Sequence, residues 1–420
     1  MSDVIAIIGG GPAGAFTAEL LACARRKVLL LDEKLAWEKP CGGGLTHKAL
    51  QTYPFLRDGH EQRNWVRGCE LISPAGRSVY LELDQPIAIF SRHVLNGLLL
   101  DRVARAGAEV VREQVTAVRG KPGAWELHTV AGTVSVGFVV FAAGARNCFR
   151  AQFSRPFAAE DLMATAGYYV PGSSTDMQVR FFAGLDGYAW MFPRCDHYSA
   201  GICGKLGATT TAELRRLLHV YLREQGIALD GASFYSHLLP SPTSGFLQHA
   251  GFSGPGWAMI GDAAGFVDPI TGEGLYYALR SAELLAKAQL AVRPELYDEN
   301  VRRDFLPELI TAAGFVERFF RGRFAGAPVL ERMVQFASRS SRCRALLRDI
   351  FAGSQGYCGL RRRTWTILPL VMAEMALSRK NAASCLPMPP IVHGKTTNHQ
   401  HQGRSQQQQP VPCSDVEEMD

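Results

Sequence analysis

Six residues near the start of the chain, Gly9-Gly10-Gly11-Pro12-Ala13-Gly14, have the types and spacing for phosphate chemistry. Gly9 allows a tight turn, Gly11 lets the backbone approach a pyrophosphate, and Gly14 lets helix and strand pack closely. The N-terminus of the helix that follows offers unbonded N–H groups and the positive end of its dipole to the phosphates. The acids Asp32-Glu33 lie where a ribose hydroxyl would need an acceptor. A glycine pattern alone is weak. Here it follows the apolar run Val4-Ile5-Ala6-Ile7-Ile8, precedes a helical segment over 15–24, and is followed by the apolar run 28–31. That is the strand–turn–helix–strand context a dinucleotide requires.

Two further stations suit the same ligand. Arg92 opens a helical segment in Phe90-Ser91-Arg92-His93-Val94-Leu95. Gly261-Asp262 follows the strand-like Trp257-Ala258-Met259-Ile260 and leads to Asp268-Pro269-Ile270-Thr271-Gly272-Glu273-Gly274. FAD is long, so its adenosine and ribityl chain need partners far apart in sequence. Asp262 suits a ribityl hydroxyl. A helix opening at Gly272-Glu273-Gly274 would favour the negative charge of a reduced flavin. A salt-bridged surface Arg92 and a mere capping turn at 272–274 are the plainer alternatives. The three stations in this order imply non-covalently bound FAD.

Elements that position these residues can be read from the apolar pattern. Residues 69–73 and 79–83 flank a hairpin turn, 91–106 is helical, 108–111 and 115–118 are strands, and 138–141 is a buried strand ending at Ala142-Ala143-Gly144. Strands are expected at 164–170, 177–182, 188–192 and 198–203, with a helix over 212–225. A long helix covers 275–290. The fold class is therefore α/β: a discontinuous Rossmann-like FAD-binding domain, an inserted antiparallel-sheet substrate domain and a C-terminal helical region. The expected boundaries are 1–160 (first FAD-binding part, with smaller strand insertions near 69–90), 161–245 (substrate domain), 246–295 (second FAD-binding part), 296–380 (helical region) and 381–420 (a polar, disordered tail). The stretch 251–256 has glycines but no strand–helix context and reads as a loop.

Cys41-Gly42-Gly43-Gly44 and the alternating Tyr188, Trp190 and Phe192 add to this. Consecutive glycines let the backbone lie against a flavin or substrate. Cys41 beside them reads as a proton donor or gate, or as a small buried filler. The three aromatics share one face of a strand, which lines either an apolar tunnel or an ordinary core.

At this point the chain resembles the geranylgeranyl reductase family, within the para-hydroxybenzoate-hydroxylase-like flavoproteins. The resemblance rests on residues 9–14, Lys39-Pro40-Cys41-Gly42-Gly43-Gly44-Leu45, Arg92, Tyr188-Ala189-Trp190-Met191-Phe192-Pro193 and the 261–274 block, and covers roughly 3–290. It implies saturation of isoprenoid double bonds by reduced FAD. Cys41, Tyr188 and Trp190 would be catalytic; Gly9, Gly11, Pro12, Ala13, Gly14, Asp32, Glu33, Cys41, Gly42, Gly43, Arg92, Gly144, Gly261, Asp262, Gly272, Glu273 and Gly274 would hold the cofactor. No metal site is expected. Two departures stand out. Leu185 occupies the place of the proline that begins the family's aromatic motif, and Ala143-Gly144 stands where many relatives have Asp-Gly. The second weakens a monooxygenase reading. That reading, or a halogenase on the same fold, is the alternative, although halogenases usually show Trp-x-Trp-x-Ile-Pro. A flavin-bound electron-transfer or redox-sensing protein is a third class. With no second dinucleotide fingerprint, the electron donor is expected to be transient NAD(P)H, ferredoxin or another carrier.

Composition bounds the setting. The chain has 420 residues, 47% apolar and 20% charged, which suits two or three domains. Its ten cysteines show no Cys-x-x-Cys pair and read as reduced thiols of a cytoplasmic protein. No signal-type segment and no apolar run of about 18 residues is seen, so neither secretion nor a spanning helix is expected. Residues 301–380 carry fifteen Lys and Arg against six Asp and Glu. This is a solvated helical face or a surface for anionic lipid (a peripheral membrane contact) or a polyprenyl diphosphate, with Pro369 breaking any long helix after Arg361-Arg362-Arg363. Nucleic acid is not an expected partner, a hydrophobic isoprenoid is, and no feature sets the oligomeric state.

Overall fold

The structure is a computed structural model that describes residues 2–378; the segment 381–420, expected to be disordered, lies outside the described residues. Two large sheets organise it. The first has six strands in the order Ser253–Gly254, Trp257–Met259, Phe138–Phe141, Ile5–Ile8, Val28–Leu31, Glu109–Val111. All its pairings are parallel except the edge pair at 253–258. Parallel strands are buried on both faces, which explains why Ile5–Ile8, Val28–Leu31 and Phe138–Phe141 are continuous apolar runs without alternation. The helices Pro12–Cys23, Arg92–Ala106 and Leu275–Leu290 supply covering side chains such as Leu21, Leu99 and Leu285. The sheet thus draws strands from both sides of the long 142–252 stretch.

The second sheet has eight strands in the order Ser233–Pro240, Leu162–Pro171, His197–Lys205, Tyr188–Pro193, Asp176–Phe181, Asn64–Ile72, Ser78–Ile89, Gly44–Leu45. It departs from the sequence reading in two ways. The hairpin 64–89 and the short strand after the glycines belong to this sheet. One pairing, Asp176–Arg180 with Gly68–Ile72, is parallel, because that hairpin joins from a different part of the chain. One face is covered by the helix Thr211–Glu224, whose Leu214, Leu218, Tyr221 and Leu222 recur at helical spacing. The other face is covered by C-terminal helices through Phe320, Leu330, Val334 and Leu347.

Other differences have local causes. Strand 117–121 starts two residues later than expected and heads a small three-stranded sheet with 124–128 and 133–136. Its exposed polar alternation gave little apolar signal. Strand Ser233–Pro240 was not expected for the same reason: only Tyr235 and Pro240 on it are buried. The 251–256 stretch is a hairpin onto the sheet edge, not a plain loop. The last described helix, Leu360–Ser378, continues through Pro369. Proline costs a helix one hydrogen bond to the carbonyl four residues back. That carbonyl belongs to Trp365, a 65% exposed residue, where water can take the missing donor's place.

Candidate active site

One cavity of about 1110 Å³ runs from the glycine turn, past Cys41–Gly44 and the aromatic strand face, to the C-terminal helices. That exceeds the usual room for one drug-sized ligand and suits a cofactor plus a substrate. Every expected site residue lines it except Gly14 and Gly261, which lie just behind the wall.

The glycine turn divides into two kinds of position. Gly9 has φ +111, and a Cβ there would lie 2.5 Å from the Ala142 carbonyl oxygen. A Cβ on Gly14 would overlap the Gly9 carbonyl oxygen. Both glycines are therefore demanded by the chain itself. A Cβ on Gly11 would meet nothing within 4 Å. Gly11 is also the N-cap of Pro12–Cys23, with no side-chain cap. So the first-turn N–H groups of Ala13 and Gly14 are left for a ligand. A pyrophosphate fits here.

Asp32 braces this turn from below. Its Oδ2 accepts from the Gly10 N–H at 2.7 Å, and its Oδ1 from the N–H groups of Lys34 and Leu35, each at 2.7 Å. A carboxylate has about four acceptor sites, so room for a ribose hydroxyl remains. Glu33 is half exposed at the mouth and lies 3.6 Å from the Lys34 ammonium.

Arg92 is not a surface residue: it is 4% exposed. Its Nη2 donates to Asn96 Oδ1 at 3.2 Å, while its Nε has no partner among the described residues. An orphaned buried guanidinium nitrogen beside an open cavity points to an absent acceptor. Glu38, not singled out by the sequence reading, holds this helix start. It accepts from the N–H groups of Arg92 and His93 at 2.9 and 3.2 Å, from Ser91 Oγ, and from Arg194 at 2.5 Å. Burial works to raise the Glu38 carboxyl, but Arg194 and these donors outweigh it and hold it low.

Lys39 and Asp262 form an ion pair at 3.0 Å, beside Gly144. Burial alone would raise the Asp262 carboxyl; Lys39, with Arg92 farther off, keeps it below the ordinary carboxylate range. His237 lies in the same neighbourhood. Burial and the charge of Lys39 push it down to about 4, and its Nε2 is buried without a partner among the described residues. The Gly261 N–H donates to Ser281 Oγ at 3.0 Å, which fixes the turn before Asp262. Lys39 begins the 39–45 motif, but nothing local pairs it with Asp262, and His237 belongs to no local motif, so only the fold assembles them.

The glycines after Cys41 have a reason beyond ligand access. A Cβ on Gly42 would lie 2.6 Å from the Phe192 ring, and Gly43 has φ +81 with its Cβ position overlapping the Phe90 carbonyl oxygen. The Cys41 carbonyl is pinned by Arg194 Nη2 at 2.8 Å and Ser199 Oγ at 2.9 Å. Its Sγ accepts from the Gly43 N–H at 3.3 Å. Tyr188, Trp190 and Phe192 share the cavity face of their strand. The Tyr188 hydroxyl donates to the Thr271 carbonyl, and a Cβ on Gly272 would lie 2.5 Å from that hydroxyl. Tyr188 therefore clamps the 271–274 turn. Trp190 Nε1 reaches Ser199 Oγ at 3.5 Å.

The helix Leu275–Leu290 has Gly274 as N-cap, again without a side-chain cap, and Gly274 and Leu275 line the cavity. Two uncapped helix N-termini thus face one cavity, as an elongated anionic cofactor such as FAD requires.

No family model matches the chain. It is 27% identical over 339 residues to the chloroplastic geranylgeranyl diphosphate reductase of Nicotiana tabacum, covering 72% of this chain and 70% of that protein. It is 28% identical over 342 residues to the menaquinone reductase of Mycolicibacterium smegmatis, covering 72% and 82%. Among solved structures, a geranylgeranyl bacteriochlorophyll reductase-like protein from Thermoplasma acidophilum matches with a TM-score of 0.70 at 19% identity, covering 87% of this chain and 100% of that one. A flavin-dependent brominase matches with a TM-score of 0.63 at 16% identity, covering 90% and 99%. The structural likenesses establish the shared fold, and the relatives narrow it: the chain is an FAD-dependent oxidoreductase similar to the geranylgeranyl reductases.

Proposed function

We propose that this enzyme saturates C=C bonds of a geranylgeranyl or other polyprenyl group. The observation that carries the reading is the continuity of the cavity. Its polar end fits a dinucleotide; its other end is walled by apolar side chains such as Phe181, Phe319, Met333, Leu347 and Phe351. A long hydrocarbon can lie in the second with one double bond reaching the first. The relatives named for geranylgeranyl diphosphate and for menaquinone support a prenyl substrate.

Bound FAD, once reduced, supplies hydride; the chain supplies the rest. Gly9, Gly11, Pro12, Ala13 and Gly14 would hold the pyrophosphate, with Asp32 and Glu33 serving the adenosine ribose. Arg92, Gly144, Gly261 and Asp262 would serve the middle of the cofactor, and Gly42, Gly43, Gly272, Glu273 and Gly274 its flavin end. Tyr188 and Trp190 orient the hydrocarbon and exclude water. Cys41 stands where polar and apolar ends meet and gates the bond that reacts. An isolated alkene cannot stabilise a carbanion, so a dry site and a positioned proton are both needed. NAD(P)H or ferredoxin is the electron donor. The protein works in the cytoplasm and meets an anionic membrane surface through the helix Leu360–Ser378.

The test is direct. Anaerobic, dithionite-reduced protein is incubated with total prenyl lipids and the products are weighed by mass spectrometry. A gain of two hydrogens per bond supports the reading. Oxygen insertion, or halide incorporation when halide is present, would move the enzyme to the monooxygenase or halogenase class.

A further inference from the structure

The reading above leaves the proton without a source. Several groups that line the cavity carry an exchangeable proton, and most are committed. The Tyr188 hydroxyl donates to the Thr271 carbonyl, and burial raises it well above its usual range. The Tyr357 hydroxyl donates to Asp268 Oδ2 at 2.8 Å. Cys203 is buried, and burial pushes its thiol up to about 12. Glu273 differs from all of them.

Glu273 sits between the two loops that meet at the middle of the cavity. One is its own turn, 271–274, which leads into the uncapped helix Leu275–Leu290. The other is the segment after the three glycines, from which Thr46 Oγ1 donates to Glu273 Oε1 at 2.6 Å. No cation pairs with the carboxyl among the described residues, and Thr46 is its sole side-chain partner there. Glu273 is partly accessible because it lines the cavity, yet it is otherwise enclosed by protein. We infer that Glu273, oriented by Thr46, is the acid that delivers the proton to the alkene. This rests on the alkene-reductase reading.

The electrostatics agree with the geometry. Burial pushes Glu273 up to about 7, against the Thr46 hydrogen bond and the charge of Lys48 and with the help of Asp268. The other titratable groups facing it are Tyr276 and Tyr277 on its helix and Tyr357 from the C-terminal region, all of which burial keeps neutral. Filling the cavity with cofactor and hydrocarbon removes more water and favours the neutral acid further. The step balances. The Glu273 O–H bond breaks and a C–H bond forms at one alkene carbon. The other carbon takes the hydride that reduced flavin supplies. A carboxylate remains and regains its proton from water.

The test uses the full FAD-loaded chain, with Glu273→Gln and Glu273→Asp. Infrared difference titration reads the neutral-carboxyl stretch. Wild type should show a band that disappears as pH rises through about 7 and is missing from Glu273→Gln. Single-turnover reduction of geranylgeranyl diphosphate, per bound flavin, should fall at least about 100-fold in Glu273→Gln and less in Glu273→Asp, since a general acid contributes ~10²–10⁴-fold. The wild-type rate should decline as pH rises through the same window, and the residual rate of the Gln variant should not. A Gln variant that reduces the alkene at the wild-type rate, or the absence of that band at pH 6, overturns the inference alone. Wild-type protein that shows the band but saturates no prenyl substrate overturns the substrate reading, and the inference with it.

Discussion

The two ends of the cavity are built from different material. At the polar end the walls are main chain and paired charges: the 9–14 turn, the 41–44 loop, Lys39 with Asp262, Glu38 with Arg194. At the apolar end they are side chains brought from Ile87, Phe181, Phe319, Met333 and Phe351. A backbone wall is set by close steric contact and by backbone angle, so positions such as Gly9 and Gly14 admit only glycine. A side-chain wall needs only apolar volume and tolerates exchange. The difference teaches where cofactor identity is fixed and where substrate choice is free to vary.

The largest effects should come from the backbone wall, and they should split. Gly14→Val drives a side chain into the Gly9 carbonyl and should leave no folded protein, read as loss of the cooperative thermal transition. Gly11→Val meets open space, so the FAD-free protein should melt within a few degrees of wild type. Its side chain would occupy the pyrophosphate position, so flavin absorbance should be lost on gel filtration. A Gly11→Val protein that keeps FAD would break the assignment of this end.

Asp262 comes next. Asp262→Asn keeps the shape and removes the charge that pairs with Lys39. Charge-assisted hydrogen bonds are worth about 1.5–3 kcal/mol, so the FAD dissociation constant should rise roughly 10- to 150-fold. Isothermal titration of the FAD-free chain measures it. The same substitution should leave any affinity for a prenyl chain in the apolar end unchanged within about twofold, because the pair belongs to the polar wall. An unchanged FAD constant would remove Asp262 from the cofactor site.

How much of this could be read in the sequence follows the same division. The first turn was legible because Gly9 and Gly14 answer to local geometry that only glycine satisfies. Asp262 and Glu273 were legible because they follow a buried strand and open a helix. Lys39 was legible only as part of the 39–45 motif, and Thr46 and His237 were not legible, because the groups that face them come from distant parts of the chain: Thr46 and Glu273 are 227 residues apart. The apolar end was hardly legible at all. Its residues come from helices whose amphipathic pattern announces burial but not what they are buried against. The expectation that Pro369 ends a helix failed for a related reason: propensity is a local prior, and the packing that carries the helix through Pro369 is not visible in the local sequence.

A pH titration of stability sharpens the contrast within the polar end. Glu273 has a raised folded value, about 7, against an ordinary glutamate when unfolded. The folded state then holds the proton longer, so this group's contribution falls as pH rises from the unfolded value through about 7. His237 has a lowered folded value, about 4, so the unfolded state binds its proton first. Its contribution is present above about 6.5 and is lost as pH falls towards 4. Below 6.5 the two slopes oppose; between 6.5 and 7 only Glu273 acts. Denaturant melts of FAD-free protein should show stability declining across that upper window. Glu273→Gln should abolish the decline and unmask a rise with pH from 4 to 6.5. Identical profiles for both proteins would deny the burial of Glu273.

The smallest effect concerns what lies beyond the apolar end. Tyr357 and Leu360 line the cavity, and Leu360 begins the helix Leu360–Ser378. Trp365, Leu368 and Met372, spaced by three and four, share a face, and Trp365 and Met372 are 65% and 59% exposed. Among the described residues no helix is long and apolar enough to cross a membrane. Such a helix suits the interface, apolar face inward, and its first residue lines the cavity a prenyl lipid would enter. Arg363 is committed to Asp349 at 2.6 Å, whereas Arg361 and Arg362 are exposed and have no ion pair among the described residues. Reversing all three would break an internal bridge as well as surface charge, so the informative variant is Arg361→Glu with Arg362→Glu. Each basic residue near an anionic bilayer contributes about 1 kcal/mol, screened within a Debye length. The wild type should therefore sediment with anionic liposomes at low salt and not with neutral ones. The double variant should bind at least tenfold more weakly while its FAD content and melting curve stay put. Equal binding to neutral vesicles, or none at low salt, would detach the apolar end from the membrane and leave the polar end as it stands.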